Sequence, residues 1–413
     1  MDFSRLSDPA AAGIGFAALT LVAALFAGML RWGRAPGGAS GAAVLGGVFA
    51  GLLLGAGVLG RAAPGVFDDV YIGANSERAA LSDAVSMRDA HAAALREAGA
   101  DDGALRRALA EHESEIAALL EAEAGAMAQR RGALLAWGVG SFLLMLVALS
   151  VLRMHSPPRR ALPAAARGSV RMLGAGTGAV AGLVAAAGLL AFSVASVPGA
   201  LGWGFAVTIG SVAPGVRARK VGRWGRDGMT DLATACAFGM HFVMVCVFAG
   251  LALLSVLALP AVVGLGLGRT RRASRRVRRG LRLFALGVLA PGVVAFCVSR
   301  VDPFEVWTLA VFWVGAVVAA VVATDGRWIN SWALWRFSRL SDDPREPALR
   351  ASAQVASGVG ATQCGAALLL YGAGAIGAPL LAGAVVGALA VEMVGQLYKP
   401  AVGMLFKNGA RNG

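Results

Sequence analysis

The chain has 413 residues, of which 57% are hydrophobic and only 15% charged, and its mean hydropathy is +0.67. That composition excludes a soluble fold of ordinary type, because it carries more apolar surface than a water-facing globule can bury. The formal net charge of +14 does not indicate a nucleic-acid partner, since most of the arginines sit in short loops beside apolar stretches, where they set membrane orientation.

The chain is read as an all-α, polytopic membrane protein. Its first residues, Met1 to Arg5 with Asp8 ahead of the first apolar run, lack the basic region of a cleavable signal, and Arg31 and Arg34 follow that run. The first span is therefore expected to be retained, with the N-terminus outside. A hydrocarbon core about 30 Å thick takes roughly 20 apolar residues per helix. Cutting the chain at its charged and Pro/Gly punctuation predicts eleven spans: 11–31, 41–60, 132–152, 172–194, 199–215, 229–250, 252–268, 282–299, 306–325, 351–373 and 376–397. The stretch 229–268 has no charge after Asp231 and is interrupted by Pro260, so two short or tilted spans are expected there. With 57 glycines, the helices are expected to approach closely through small side chains.

Basic residues alternate with the spans as the positive-inside rule requires. Arg31/Arg34, Arg153 to Arg171, Arg217 to Arg226, the arginines from Arg269 to Arg282, Arg327 to Arg350 and Lys399/Lys407/Arg411 all fall on one side. This places the C-terminus in the cytoplasm of a bacterial inner membrane. The layout is two helices over 1–60, an insertion over 61–131, a first half-bundle over 132–268, an Arg-rich loop over 269–281, a second half-bundle over 282–398 and a tail over 399–413.

Segment 61–131 holds thirteen of the 24 acidic residues and breaks the apolar pattern. Ala, Leu and Glu/Arg repeat at helical spacing from Ser76 to Gly99 and from Asp102 to Arg131, around Ala98-Gly99-Ala100-Asp101-Asp102-Gly103. An extracytoplasmic helical hairpin is predicted. It is either an arm that binds a partner or an oligomer mate, or a solvated spacer; its His91 and His112 are expected at the surface.

Ionisable groups inside a bilayer are costly, so each is a functional candidate. His241 lies near the middle of the sixth span, Asp231 near its start, and Glu392 about one turn from the end of the last. His241 is either a proton carrier, as its pKa range suits, or a neutral ring packed against backbone carbonyls. Asp231 and Glu392 either serve the pathway or snorkel to the headgroups. The short fifth span carries Thr208 and Ser211 beside Gly210 and Pro214, and the tenth carries Gln354, Ser357, Thr362 and Gln363 among glycines. Interrupted, polar-bearing spans in two halves mark midplane sites in transporters, although small residues also serve helix crossing. The four cysteines, Cys236, Cys246, Cys297 and Cys364, lack the spacing of a metal site or close disulfide. No cofactor, metal or enzyme chemistry is expected.

In order along the chain, several stretches resemble the monovalent cation:proton antiporter superfamily, in particular its Kef-type and sodium/proton exchanger members. Arg31-Trp32-Gly33-Arg34-Ala35-Pro36 followed by Phe49 to Gly60 resembles that family's second span. Ile209 to Gly215 with Lys220-Val221 is similar to its broken fourth span, and Ala235 to Gly250 to its fifth. Leu289 to Phe296 through Asp302-Pro303, then Ala348-Leu349-Arg350 through Gln363, then Leu380 to Ala390, are similar to its later segments. The resemblance implies an inverted-repeat bundle with broken, crossing helices, transport of a monovalent cation and/or a proton, and a homodimer. Where the family carries an acidic pair this chain has His241-Phe242, and where the family has Arg-Gly and Glu it has Val359-Gly360 and Gln363. The expected function is a divergent secondary transporter with its pathway at Thr208, Ser211, Asp231, His241, Thr362, Gln363 and Glu392. The alternative is a membrane scaffold or sensor that keeps the fold and acts through the hairpin.

Overall fold

In a computed structural model, the described residues are 8–33, 38–99, 101–154, 179–212, 227–251, 275–323 and 360–409. All regular structure among them is helical. The principal helices are α1 (Asp8–Trp32), α2 (Gly38–Leu54), α3 (Asn75–Glu97), α4 (Asp102–Met154), α5 (Ala179–Ala191), α6 (Val197–Val212), α7 (Asp227–Phe248), α8 (Arg275–Phe284), α9 (Ala290–Ser299), α10 (Ala310–Ala323), α11 (Gly360–Gly372) and α12 (Ala378–Gly409). A π turn, Ala285–Leu289, joins α8 to α9.

Four stretches are long and apolar enough to cross a membrane: Ala10–Trp32, Gly38–Ala62, Leu105–Leu149 and Arg279–Ser299. Shorter apolar helices occupy Ala179–Ala191, Val197–Ile209, Phe238–Phe248, Ala310–Ala323 and Ala378–Met393. Eleven full-length spans are thus not what the described residues contain, and the expected span 252–268 lies outside them. Two boundaries also move. The second hairpin arm does not end near Arg131 but continues into the third span as one unbroken helix of 53 residues, since Ala, Leu and Met carry helical propensity straight through the change from polar to apolar. The last helix likewise passes the expected start of the tail and runs to Gly409.

The chain packs as two compact units, Met1–Ala18 with Val58–Trp137, and Leu19–Gly57 with Gly138–Gly413. In the first, Gly73 at φ +74° and Ala74 at φ 62° turn the chain into α3, the left-handed region that glycine enters without strain. Arg78 then ties three segments together, 2.9 Å from Asp68 and 2.8 Å from Glu123. Gly99, at φ +75°, ends α3 as a glycine at the position after a helix C-cap commonly does.

In the second unit the most extensive helix pairing is α2 against α9. Gly47, Gly51 and Gly55 follow at intervals of four and face Pro291, Ala295 and Ser299, also at intervals of four. A Cβ at Gly47 or Gly51 would lie 2.6 Å from the Pro291 or Ala295 carbonyl oxygen, and one at Gly55 2.7 Å from Ser299 Cα. Such rows at i, i+4 let two helix backbones touch. The same device recurs where Gly383 meets Gly315 and Ala316, at 2.9 and 3.0 Å from a Cβ, and where Gly387 meets the Ala319 carbonyl carbon at 3.0 Å. Elsewhere an aromatic ring fills the space a glycine leaves: Phe142 covers Gly365, and Phe296 covers Gly138.

These crossings predict opposite signs for two glycine substitutions. Gly51→Val, which drives a side chain into the α9 backbone, lowers stability by about 1–3 kcal/mol or more, read as a lower Tm in detergent micelles. Gly125→Ala, at a helical position with nothing within 4 Å of the added carbon, raises stability by about 1 kcal/mol.

Candidate functional site

Three helices that carry expected site residues pack on one another: α6 on α7, and α11 on both. α6 is continuous from Val197 to Val212; the expected break around Pro214 lies outside the described residues. Trp203 and Phe205 are buried on it. Thr208, 1% exposed, donates its hydroxyl proton to the carbonyls of Gly204 at 3.0 Å and Phe205 at 3.2 Å. This is back-bonding within the helix.

His241 lies on α7 with no exposed surface. Its ring meets Phe205 edge to face, with centroids 5.5 Å apart and planes at 79°. The geometry suits aromatic quadrupoles and brings His241 within one turn, along α6, of Thr208. Ser211 and Asp231 lie on α6 and α7, and their side chains fall outside the described set.

The second group is built on α11 and α12. Gln363 is wholly buried and donates Nε2 to the Ala384 carbonyl at 2.8 Å. Because a carbonyl only accepts, this bond fixes which end of the amide is nitrogen. The opposite end, Oε1, has no hydrogen-bond partner among the described residues, and neither does the hydroxyl of Thr362, also fully buried. A buried polar atom left unsatisfied costs about 1–3 kcal/mol, so two neighbouring ones form a marked feature. Gly387 makes the approach feasible, since a Cβ there would lie 2.8 Å from the Gln363 nitrogen.

Glu392 does not snorkel. It is 7% exposed, and its Oε1 accepts from Ser40 Oγ at 2.6 Å and from the Gly360 amide at 3.0 Å. Ser40 lies in the first turn of α2 and Gly360 is the first described residue of α11, so this carboxylate on α12 ties two other helices to it. The bond belongs to a regular series: Leu380, Ala384, Ala388 and Glu392, four apart on α12, face α6, α11 and α2. The Leu380 carbonyl accepts from Trp203 Nε1 at 2.9 Å, and Ala388 packs on Gly360.

One interhelical contact was not legible in the sequence. Arg31, taken as an orientation signal, donates to the Ala39 carbonyl at 3.2 Å and to the Leu286 carbonyl. The π turn explains that acceptor. The Ala290 amide reaches back to Ala285, and the next residue, Pro291, has no amide with which to satisfy Leu286. Its trace in the sequence is a proline inside an apolar helix, with an arginine at the end of another.

The site therefore consists of His241 and Thr208 on the α6–α7 pair, and Thr362, Gln363 and Glu392 around α11 and α12. No known family model, curated protein or solved structure matches the chain.

Glu392→Ala removes the acceptor of two donors and is expected to cost about 1–3 kcal/mol. In a double-mutant cycle with Ser40→Ala the two losses are expected to couple by about 0.5–3 kcal/mol, measured as shifts of Tm in detergent. Additive losses would separate the two residues energetically.

Proposed function

We propose that the chain is a divergent secondary transporter of the monovalent cation:proton antiporter kind. Its pathway runs between α6, α7 and α11, in a bacterial inner membrane with the N-terminus outside and the C-terminus cytoplasmic. The observation that carries this reading is the pair of buried oxygens, Thr362 Oγ1 and Gln363 Oε1, that have no hydrogen-bond partner among the described residues, in a largely apolar bundle. Oxygen ligands are what alkali cations prefer over nitrogen, and polar groups kept inside a membrane bundle mark ion routes. Leu21, Leu25 and Met29, 62%, 59% and 68% exposed on α1, are in keeping with a surface that meets lipid.

In this reading the Thr362 and Gln363 oxygens contact the ion in passage. His241 carries the proton. Glu392, already engaged by Ser40 and the Gly360 amide, holds α11 two residues before Thr362 and so positions both oxygens. Access alternates by movement of one helix group against the other, and two copies assemble as a homodimer. The α3–α4 hairpin supports a second reading. It folds as part of a compact unit of its own, as suits a scaffold or sensor that meets a protein partner through that arm.

Proton flux in everted vesicles separates the two. With sodium, potassium and lithium added in turn, the wild type is expected to dequench a pH-sensitive dye. Thr362→Val, which keeps the shape and removes the hydroxyl, is expected to slow the response about tenfold, equivalent to about 1.4 kcal/mol. His241→Ala is expected to abolish it. Silence with every cation, from folded and inserted wild-type protein, would sink the transport reading and favour the scaffold.

A further inference from the structure

The hairpin brings together two histidines that the transport reading does not use. His91 on α3 and His112 on α4 are 21 positions apart, yet His91 Nδ1 lies 3.2 Å from His112 Nε2. The rings meet edge to face, with centroids 5.3 Å apart. The other nitrogen of His112, Nδ1, faces Glu115 Oε2 at 3.9 Å.

We propose that His91 Nδ1 and His112 Nε2 form a two-histidine site for a divalent transition metal of the zinc, nickel or copper class, with Glu115 orienting His112. Two nitrogens bound tetrahedrally at about 2.0–2.1 Å from one ion lie roughly 3.3 Å apart, so the rings already stand at the separation of neighbouring ligands. A carboxylate beside the distal nitrogen is the usual support of a metal-binding histidine, because it keeps the proton on that nitrogen and leaves the other lone pair free. In the tautomer that places the His112 proton on Nδ1, on the Glu115 side, Nε2 accepts from His91 Nδ1–H. On binding, the metal takes the place of that shared proton, which His91 then carries on Nε2, so no net proton is released. His91 is exposed and the His112 side chain is 25% exposed, which leaves the ion a way in.

No group of three or more His, Cys, Asp or Glu side chains that could hold a metal occurs among the described residues. Water therefore completes the coordination, and the site binds more weakly than a four-ligand structural centre. Imidazole pairs suit zinc, nickel and copper and not calcium or magnesium. A bound ion would join the two arms of the hairpin side by side, a consequence that holds whether or not the protein transports ions.

The test uses the full chain in detergent micelles with Cu²⁺ as the probe, read by pulsed electron paramagnetic resonance. One copper per chain with nitrogen modulation from two imidazoles is expected, displaced by Zn²⁺ and untouched by excess Mg²⁺. His91→Ala or His112→Ala should leave at most one imidazole and weaken binding at least tenfold. Glu115→Gln should weaken it about tenfold, and His155→Ala, outside the hairpin, should change nothing. A wild-type spectrum with fewer than two imidazoles, or one that His91→Ala leaves intact, would overturn the proposal.

Discussion

The second unit depends on how closely its helices can approach. Lipid is as apolar as leucine, so burying a leucine between two membrane helices gains little over leaving it in the bilayer, and association has to come from dispersion and polar contacts. Both weaken steeply with distance. Gly47, Gly51 and Gly55 against Pro291, Ala295 and Ser299, and Gly383 and Gly387 against Gly315 and Ala319, reduce that distance to backbone contact. A single methyl group at such a crossing must displace a main chain and not merely a flexible side chain.

Close approach also explains the polar bonds. Small residues also let side chains reach carbonyls of neighbouring helices. Gln363 reaches the Ala384 carbonyl across Gly387, and Arg31 reaches a carbonyl that Pro291 has left without its usual donor. Along one face of α12, Trp203, Gln363, and Ser40 with the Gly360 amide make contact at successive turns. The last helix is thereby fixed in register by directional bonds, which apolar packing alone specifies poorly.

The same economy of polar groups narrows the functional reading. Glu392 bonds across helices and Thr208 within its own, whereas Thr362 Oγ1 and Gln363 Oε1 have no hydrogen-bond partner among the described residues. Thr20 Oγ1 on α1 is likewise without one; Thr362 and Gln363 are set apart by being adjacent on a helix that packs on α6 and α7, and the transport proposal rests on them. The hairpin follows another logic. Its arms are polar and water-facing, Arg78 joins them near the base, and its two histidines pair closer to the tip.

The sequence by itself determined the class of the molecule. An apolar composition without strand alternation makes helices for lipid, and the Ala/Glu/Arg repeat over 76–131 makes helices for water, because propensity and hydropathy are local properties. It also pointed to His241, Thr362, Gln363 and Glu392, since polar side chains in apolar runs stand out without any knowledge of their neighbours. Tertiary structure alone decided what those groups touch. The bonding of the Gln363 amide nitrogen, and the choice between a snorkelling Glu392 and one that bonds Ser40 and the Gly360 amide, are set by residues 21 to 352 positions away. The pairing of His91 with His112 depends on the register of two helices about a turn. The merging of the second arm with the third span into one helix was equally hidden, because a change in hydropathy marks where the solvent changes and not where a helix ends.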